Sequence, residues 1–160
     1  MAGDRGGLAA FDLIRAMPED AEAVSDLYLT SRAAMMPDLR PVHDDTATRR
    51  WIACCMIPDL EVWLAREAES RSILGILALD GDFIDQLYVH PDRFRQGIGR
   101  GLIEHAKRCR PEGLSLYCFS RNSSALRFYV AMAFELVLER DGRFNEEGEP
   151  DCLYRWRRSP

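Results

Sequence analysis

One segment constrains this chain more than any other: Leu87-Tyr88-Val89-His90-Pro91-Asp92-Arg93-Phe94-Arg95-Gln96-Gly97-Ile98-Gly99-Arg100-Gly101-Leu102-Ile103. An apolar strand, Ile84 to Val89, ends at His90-Pro91. A basic loop follows, and a glycine-spaced turn then opens a helix that runs to about Arg108. Backbone N–H groups at a helix start have no partner inside the helix, and the aligned peptide dipoles add partial positive charge there. Gly97 and Gly99 remove side chains that would hold a bulky anion away. The stretch Phe94, Arg95, Gln96, Gly97, Ile98, Gly99, Arg100 therefore reads as a main-chain cradle for phosphate. A Walker loop is excluded, because no Gly-Lys pair occurs. A dinucleotide-binding turn is excluded too, because the third glycine is off register and no βαβ unit surrounds it. The plain alternative is a glycine-rich helix start with solvated arginines.

A second segment decides between them. Leu114 to Phe119 reads as a strand, and Asn122 is a good N-cap for the helix that follows. Ala125, Phe128, Tyr129 and Met132 share one face of that helix. Val89-x-Pro91 followed by Arg95-Gln96-Gly97-Ile98-Gly99-Arg100 resembles the acetyl-CoA signature of the GNAT superfamily of N-acetyltransferases. Asn122-x-x-Ala125-x-x-Phe128-Tyr129-x-x-x-Ala133-Phe134 resembles its second signature. Phe94 stands where the family has Gln or Arg, and Ala133 where it has glycine. The tail from Arg140 to Trp156 is similar to tails of bacterial GNAT proteins of unassigned substrate.

The resemblance implies an α+β fold: a mixed, mostly antiparallel sheet of six to seven strands with splayed central strands, flanked by about four helices. It implies acetyl-CoA as cosubstrate, with its pyrophosphate on the amides from Phe94 to Arg100 and its pantetheine between strands 83–89 and 114–119. Leu87 and Val89 would offer backbone partners to the pantetheine, and N–H groups near Leu87 and Tyr88 would polarise the thioester carbonyl. Asn122 would touch the pantetheine or phosphate region. Tyr129 would stand near the sulfur and protonate the departing thiolate; its alternative is a core aromatic whose hydroxyl has found a partner.

The acceptor is read as a primary amine, on a small molecule or a peptide, attacking directly in a ternary complex. Alkylamines are protonated near pH 7, so a base must remove a proton. Asp85 is the leading candidate, being on the strand two residues before Leu87 and expected on the same pleat face. Asp82, Glu146 and Asp151 are weaker ones. The family places its first two helices along the acceptor site, which makes Tyr28, Met35, Met36 and Trp51 wall candidates, with ordinary core as their alternative. The other reading of the whole chain is an acyl-CoA-binding sensor or interaction module that does not catalyse transfer.

Charge distribution supports the division of labour. Residues 90–110 carry Arg93, Arg95, Arg100, Lys107, Arg108 and Arg110 against Asp92 and Glu104. Residues 139–151 carry Glu139, Asp141, Glu146, Glu147, Glu149 and Asp151 against Arg140 and Arg143. Phosphates would prefer the first patch, and a cationic amine such as Glu146 or Asp151 could hold would prefer the second. The net charge of −5 argues against nucleic acid as the main partner. No run of 18 apolar residues predicts a membrane helix, and no signal peptide is evident. Five cysteines, an odd count with apolar neighbours, suggest reduced and buried thiols in a cytoplasmic chain. No metal is expected, since His43, His90 and His105 lack ligand spacing. Residues 1–8 read as a flexible tail and 9–160 as one domain. Members of the family are often dimers, so a homodimer is an expectation without a named interface.

Overall fold

Residues 10–160 are described by the computed structural model; the tail expected at residues 1–8 lies outside them. Alternating apolar runs between turn residues build β1 (Phe11–Arg15), β2 (Glu61–Glu67), β3 (Ile73–Asp80), β4 (Phe83–Val89), β5 (Gly113–Phe119), β6 (Glu135–Arg140) and β7 (Asp151–Arg157). Helices α1 (Ala21–Met35), α2 (Asp45–Trp51), α3 (Ile57–Asp59), α4 (Ile98–Cys109) and α5 (Ser123–Ala131) fall between them. Pro18 opens a short 3₁₀ turn ahead of α1. Asp44 caps α2, its carboxylate accepting from the Ala47 amide at 2.7 Å. Between α2 and α3 the chain makes a π-helical turn, Ile52–Met56.

The strands form one sheet in the order β1-β2-β3-β4-β5-β7-β6. All neighbours are antiparallel except β4 and β5, which are joined by the α4 crossover and run parallel. One face buries Leu77, Ile98, Leu102, Leu116 and Tyr129 with α4 and α5. The other buries Val24, Ile52, Met56, Leu64 and Ile76 with α1 and the π-helical turn. Each fully buried Leu or Ile contributes on the order of 2 kcal/mol. Gly101 lies against the Phe11 ring, where an added Cβ would come within 2.6 Å of the ring tip and push it aside.

The feature that matters for function is the junction of β4 and β5. They are partners only at Phe83 and Ser115, where the Ser115 amide donates to the Asp82 carbonyl at 3.0 Å. Beyond that pair the strands diverge toward their C-terminal ends. A β-bulge contributes: Gln86 pairs with Ala78 and Ile84 with Leu79, leaving Asp85 as the extra residue. Bulges bend the strand that carries them and raise its twist.

Two expectations need correction. The thiols are not all buried: Cys118 and Cys152 are, but Cys54 and Cys55 lie exposed on the π-helical turn. Asp85 does not keep to the face of Leu87 by simple alternation. With the bulge between them, Ile84 and Leu87 both pack into the α4/α5 cluster although they are three residues apart.

Candidate active site

The turn after β4 is held by its own backbone. The His90 amide donates to the Leu74 carbonyl at 2.8 Å, and Pro91–Arg93 forms a 3₁₀ turn. Arg95 and Gly97 both take left-handed conformations, with φ of 62° and 83°. Such a conformation costs a non-glycine residue about 1 kcal/mol or more, so Arg95 is held there by the turn around it. The first bond of α4 runs from the Gly101 amide to the Gly97 carbonyl, 2.9 Å. Gly97 is the N-cap, and no side chain caps the helix. The amides of Ile98, Gly99 and Arg100 therefore have no partner within a 12-residue helix. The Phe94 amide is less open, because it turns back toward the Pro91 carbonyl at 3.4 Å. Arg93 is paired with Glu67 at 2.9 Å. Arg95 and Arg100 make no ion pair among the described residues.

Gly99 also serves the packing of the helices. A Cβ there would lie 3.3 Å from the Phe128 ring and 3.7 Å from Val89. Its missing side chain lets α4 approach α5.

Register decides which groups of β4 face the opening. His90 and Leu74 form a hydrogen-bonded pair. By alternation Tyr88 and Gln86 bond to β3, while the backbone groups of Leu87 and Val89 turn toward β5. The Val89 carbonyl is taken by the Ser31 hydroxyl at 2.8 Å. The Val89 amide and both backbone groups of Leu87 are thus left for the cleft. Across the opening, the Asn122 carboxamide caps α5 by accepting from the Ala125 amide at 3.2 Å.

Tyr129 is 8% exposed. It lies edge-on to Phe128 and Phe134, with ring centroids 5.3 and 5.7 Å away. Burial, and then neighbouring Cys118, push its hydroxyl well above the ordinary tyrosine range, so it stays protonated. No hydrogen bond from the described residues holds that hydroxyl. The same burial pushes the Cys118 thiol up to about 12. The Asp85 carboxylate stands 3.1 Å from the Gln86 amide nitrogen. Asp82 lies at the joined end of β4 and β5, away from the start of α4.

The α1 side of the sheet carries an aromatic and charged cluster. Tyr28 packs edge-on against Tyr88 at 4.8 Å and tilted against Trp51 at 6.2 Å. The Arg32 guanidinium donates to the Tyr28 hydroxyl at 3.2 Å and to Glu147 at 2.9 Å. Burial first, with Tyr28 next, drives the Tyr88 hydroxyl above its usual range. Met35 ends α1 half-buried. Glu146 meets His43 at 2.7 Å, so the loop between β6 and β7 is tied to α1 and to the α1–α2 loop. Asp151 is 3% exposed and gives both carboxylate oxygens to Arg140, at 2.7 and 2.6 Å, with Asn145 also donating at 3.1 Å. Its carboxylate is fully engaged in holding the loop.

Tyr28, Trp51 and the Tyr88 side chain are therefore neighbours, as are the α4 turn and the Leu87–Val89 backbone. Arg32, Ser31 and the Arg32–Glu147 pair were not singled out by sequence, and only the helical spacing of Tyr28, Ser31 and Arg32 hinted at them. No group of three or more His, Cys, Asp or Glu side chains suited to a metal ion occurs among the described residues. No helix among them is long and apolar enough to cross a membrane.

A sequence model described as an acetyltransferase (GNAT) domain matches residues 58–136. The peptidyl-lysine N-acetyltransferase YjaB of Salmonella typhimurium is 34% identical over 81 residues, covering 51% of this chain and 54% of that protein. The chain thus spans about half the length of the curated relatives it matches. The solution structure of apo YjaB from Escherichia coli superposes with a TM-score of 0.77 at 23% identity, covering 94% of this chain and 99% of that one. The structure of yncA from Salmonella typhimurium with its cofactor acetyl-CoA superposes with a TM-score of 0.65 at 17% identity, covering 94% of this chain and 95% of that one. The matched stretch runs from α3 to the start of β6, and the neighbours share the fold, so residues 58–136 belong to the GNAT acetyltransferase family of domains.

Proposed function

We propose that the protein is an N-acetyltransferase that moves the acetyl group of acetyl-CoA to a primary amine, with a lysine side chain of a peptide or protein as the first acceptor to try. The uncapped start of α4 carries the reading. Open amides at Ile98, Gly99 and Arg100, with unpaired Arg95 and Arg100 beside them, suit a diphosphate. The splay of β4 from β5 suits an extended pantetheine arm, which would bond to the Leu87 backbone and the Val89 amide. Asn122 lies at the other rim of the opening. The acceptor class comes from the relatives, which are named peptidyl-lysine N-acetyltransferases.

In this reading the amine enters from the side of Tyr28, Tyr88 and Trp51 and attacks the thioester directly. The new C–N bond forms as the C–S bond breaks. The amine proton passes to a base, with Asp85 through water the leading choice. The sulfur takes the Tyr129 proton as it departs, a role suited to a hydroxyl that burial keeps protonated. The Leu87 backbone N–H near the carbonyl would stabilise the charge that develops on oxygen, whereas the Tyr88 N–H is turned to β3 and is not available for it.

Thiol release from acetyl-CoA across an amine and lysyl-peptide panel tests the reading. Tyr129→Phe should lower turnover about 100-fold with little change in acetyl-CoA affinity, the usual scale for a lost general acid. Unchanged turnover would remove Tyr129 from the mechanism. Acetyl-CoA binding without thiol release on any amine would favour the non-catalytic module instead. Asp85→Asn should shift the pH–rate profile, and an unshifted profile would place the base elsewhere.

A further inference from the structure

Helix α1 carries two equally hidden serines, Ser25 and Ser31, each 1% exposed. They use their hydroxyls differently. Ser25 Oγ donates to the Ala21 carbonyl at 2.7 Å, one turn back along its own helix, the usual outlet for a serine inside a helix. Ser31 Oγ donates instead to the Val89 carbonyl at 2.8 Å, 58 positions away at the last residue of β4. The N–H of that same peptide, on His90, donates to the Leu74 carbonyl at 2.8 Å. The final peptide of β4 is therefore held from both sides, by β3 through its N–H and by α1 through its C=O. At this end of the strand β5 has departed, since it is a partner of β4 only at Phe83. The Ser31 hydroxyl stands in for the donor that a neighbouring strand would have supplied. Directly after the held peptide come the Pro91–Arg93 turn and the left-handed Arg95 and Gly97 that open α4. Directly before it is the Val89 amide, which faces the cleft. On the same face of α1, Tyr28 packs on the Tyr88 ring, so one helix registers the aromatic wall against the end of β4.

We propose that Ser31 is a positioning residue for acetyl-CoA: by fixing the Val89–His90 peptide where β5 has left it, the hydroxyl holds the Val89 amide and the open α4 turn at the spacing a single cofactor has to span. The assignment rests on the reading of the cleft proposed above and adds to it a residue that touches neither cofactor nor acceptor. Ser31 acts through the backbone. Without the hydroxyl, the Val89 carbonyl loses its donor, and the peptide is anchored on the β3 side alone. Its plane is then free to tilt, carrying the Val89 amide and the start of the turn with it. Preorganisation of those donors, and with it cofactor affinity, is what the serine supplies. Ser25 lacks this connection, because its bond closes within α1.

Calorimetric titration of the full chain with acetyl-CoA, in the absence of any acceptor, tests the assignment. Ser31→Ala should raise the Kd about tenfold, equal to about 1.4 kcal/mol. Ser25→Ala removes an equally buried hydroxyl from the same helix, and it should lower the melting temperature while leaving the Kd unchanged. Ser31→Cys keeps the size of the side chain and only a weak donor, so its Kd should fall between those of wild type and Ser31→Ala. With an acceptor present, Ser31→Ala should raise the KM for acetyl-CoA by a larger factor than it lowers kcat. A Ser31→Ala chain that binds as tightly as wild type overturns the proposal. So does an equal loss of affinity in Ser25→Ala, because the cause is then a general loosening of α1. Should Ser31→Ala fail to fold, Ser31→Cys decides, and wild-type affinity in that variant overturns the proposal. A wild-type chain that does not bind acetyl-CoA removes the reading of the cleft and Ser31 with it, whereas tight binding that ignores Ser31 removes only the role of the serine.

Discussion

The turn between β4 and α4 and the loop between β6 and β7 carry opposite charge, and they treat it in opposite ways. The turn leaves its donors open: among the described residues the first α4 amides have no partner, and Arg95 and Arg100 make no ion pair. The loop closes its acceptors on the fold. Asp141 pairs with Arg143, Glu146 with His43, Glu147 with Arg32, Glu149 with Arg121 and Asp151 with Arg140. A count of charges along the sequence made the two patches look equivalent as ligand sites. What separates them is whether the local backbone supplies the counter-charge. A glycine-led turn in left-handed conformation cannot satisfy its own amides, whereas the ten-residue loop folds back on itself through the Asp141 and Asn145 side chains.

The largest effect should come from breaking the closed side. Asp151→Ala leaves the Arg140 guanidinium without its partner under the loop, and loss of one member of a buried pair costs about 3 kcal/mol, or roughly 10 °C in melting temperature. Arg140 holds the Asp151 carboxyl below the usual carboxylate range. A lowered folded pKa means the contribution is complete above the unfolded value, about 3.9, and fades as pH falls through the folded one. The wild-type and Asp151→Ala melting curves should therefore converge in acid and differ most above about pH 5. A difference that persists unchanged below pH 3 would show that the pair is not its source. Affinity for acetyl-CoA should be unchanged, since nothing links this pair to the α4 turn.

On the open side, Gly97→Glu puts a carboxylate where the phosphates are proposed to sit and a Cβ on a backbone at φ 83°. Calorimetric titration should show acetyl-CoA binding weakened about 100-fold, equal to about 2.7 kcal/mol. Undiminished binding would mean that the open amides serve nothing in this chain.

The same contrast explains what could be read ahead of the structure. Phe83–Val89, the helix after Gly97 and the Asn122 cap are local: alternation, a left-handed glycine and a capping side chain fix them within a few residues. The bulge at Asp85 is not legible, because it is set by how β4 registers on β3, and nothing in residues 83–89 announces it. The packing of Gly99 on Phe128 is not legible in the sequence, because it joins segments 29 positions apart. The pairing of Glu147 with Arg32 spans 115 positions and rests on where the last two strands bring the loop. Local geometry of the turn was thus legible, while occupancy of the charges around it was not.

Two non-glycine residues in left-handed conformation give the finest comparison between the regions. Arg95 lies in the open turn at φ 62°, and Ala133 ends α5 at φ 65°, where the family signature has glycine. At Ala133 the strain accompanies a closed set of bonds: its amide donates to the Val130 carbonyl at 3.0 Å and the next amide to the Tyr129 carbonyl at 3.0 Å. Nothing there needs a side chain. Ala133→Gly should stabilise the fold by about 0.5–1 kcal/mol, the left-handed relief less the greater freedom of glycine in the unfolded chain, with acetyl-CoA affinity unchanged. Arg95→Gly relieves the same strain but removes a guanidinium from the open amides. It should raise Tm by a similar few degrees while weakening acetyl-CoA binding several-fold, more so at low salt. If Arg95→Gly gains stability and binds as tightly as before, the turn holds its arginine in strain for some purpose other than the phosphates.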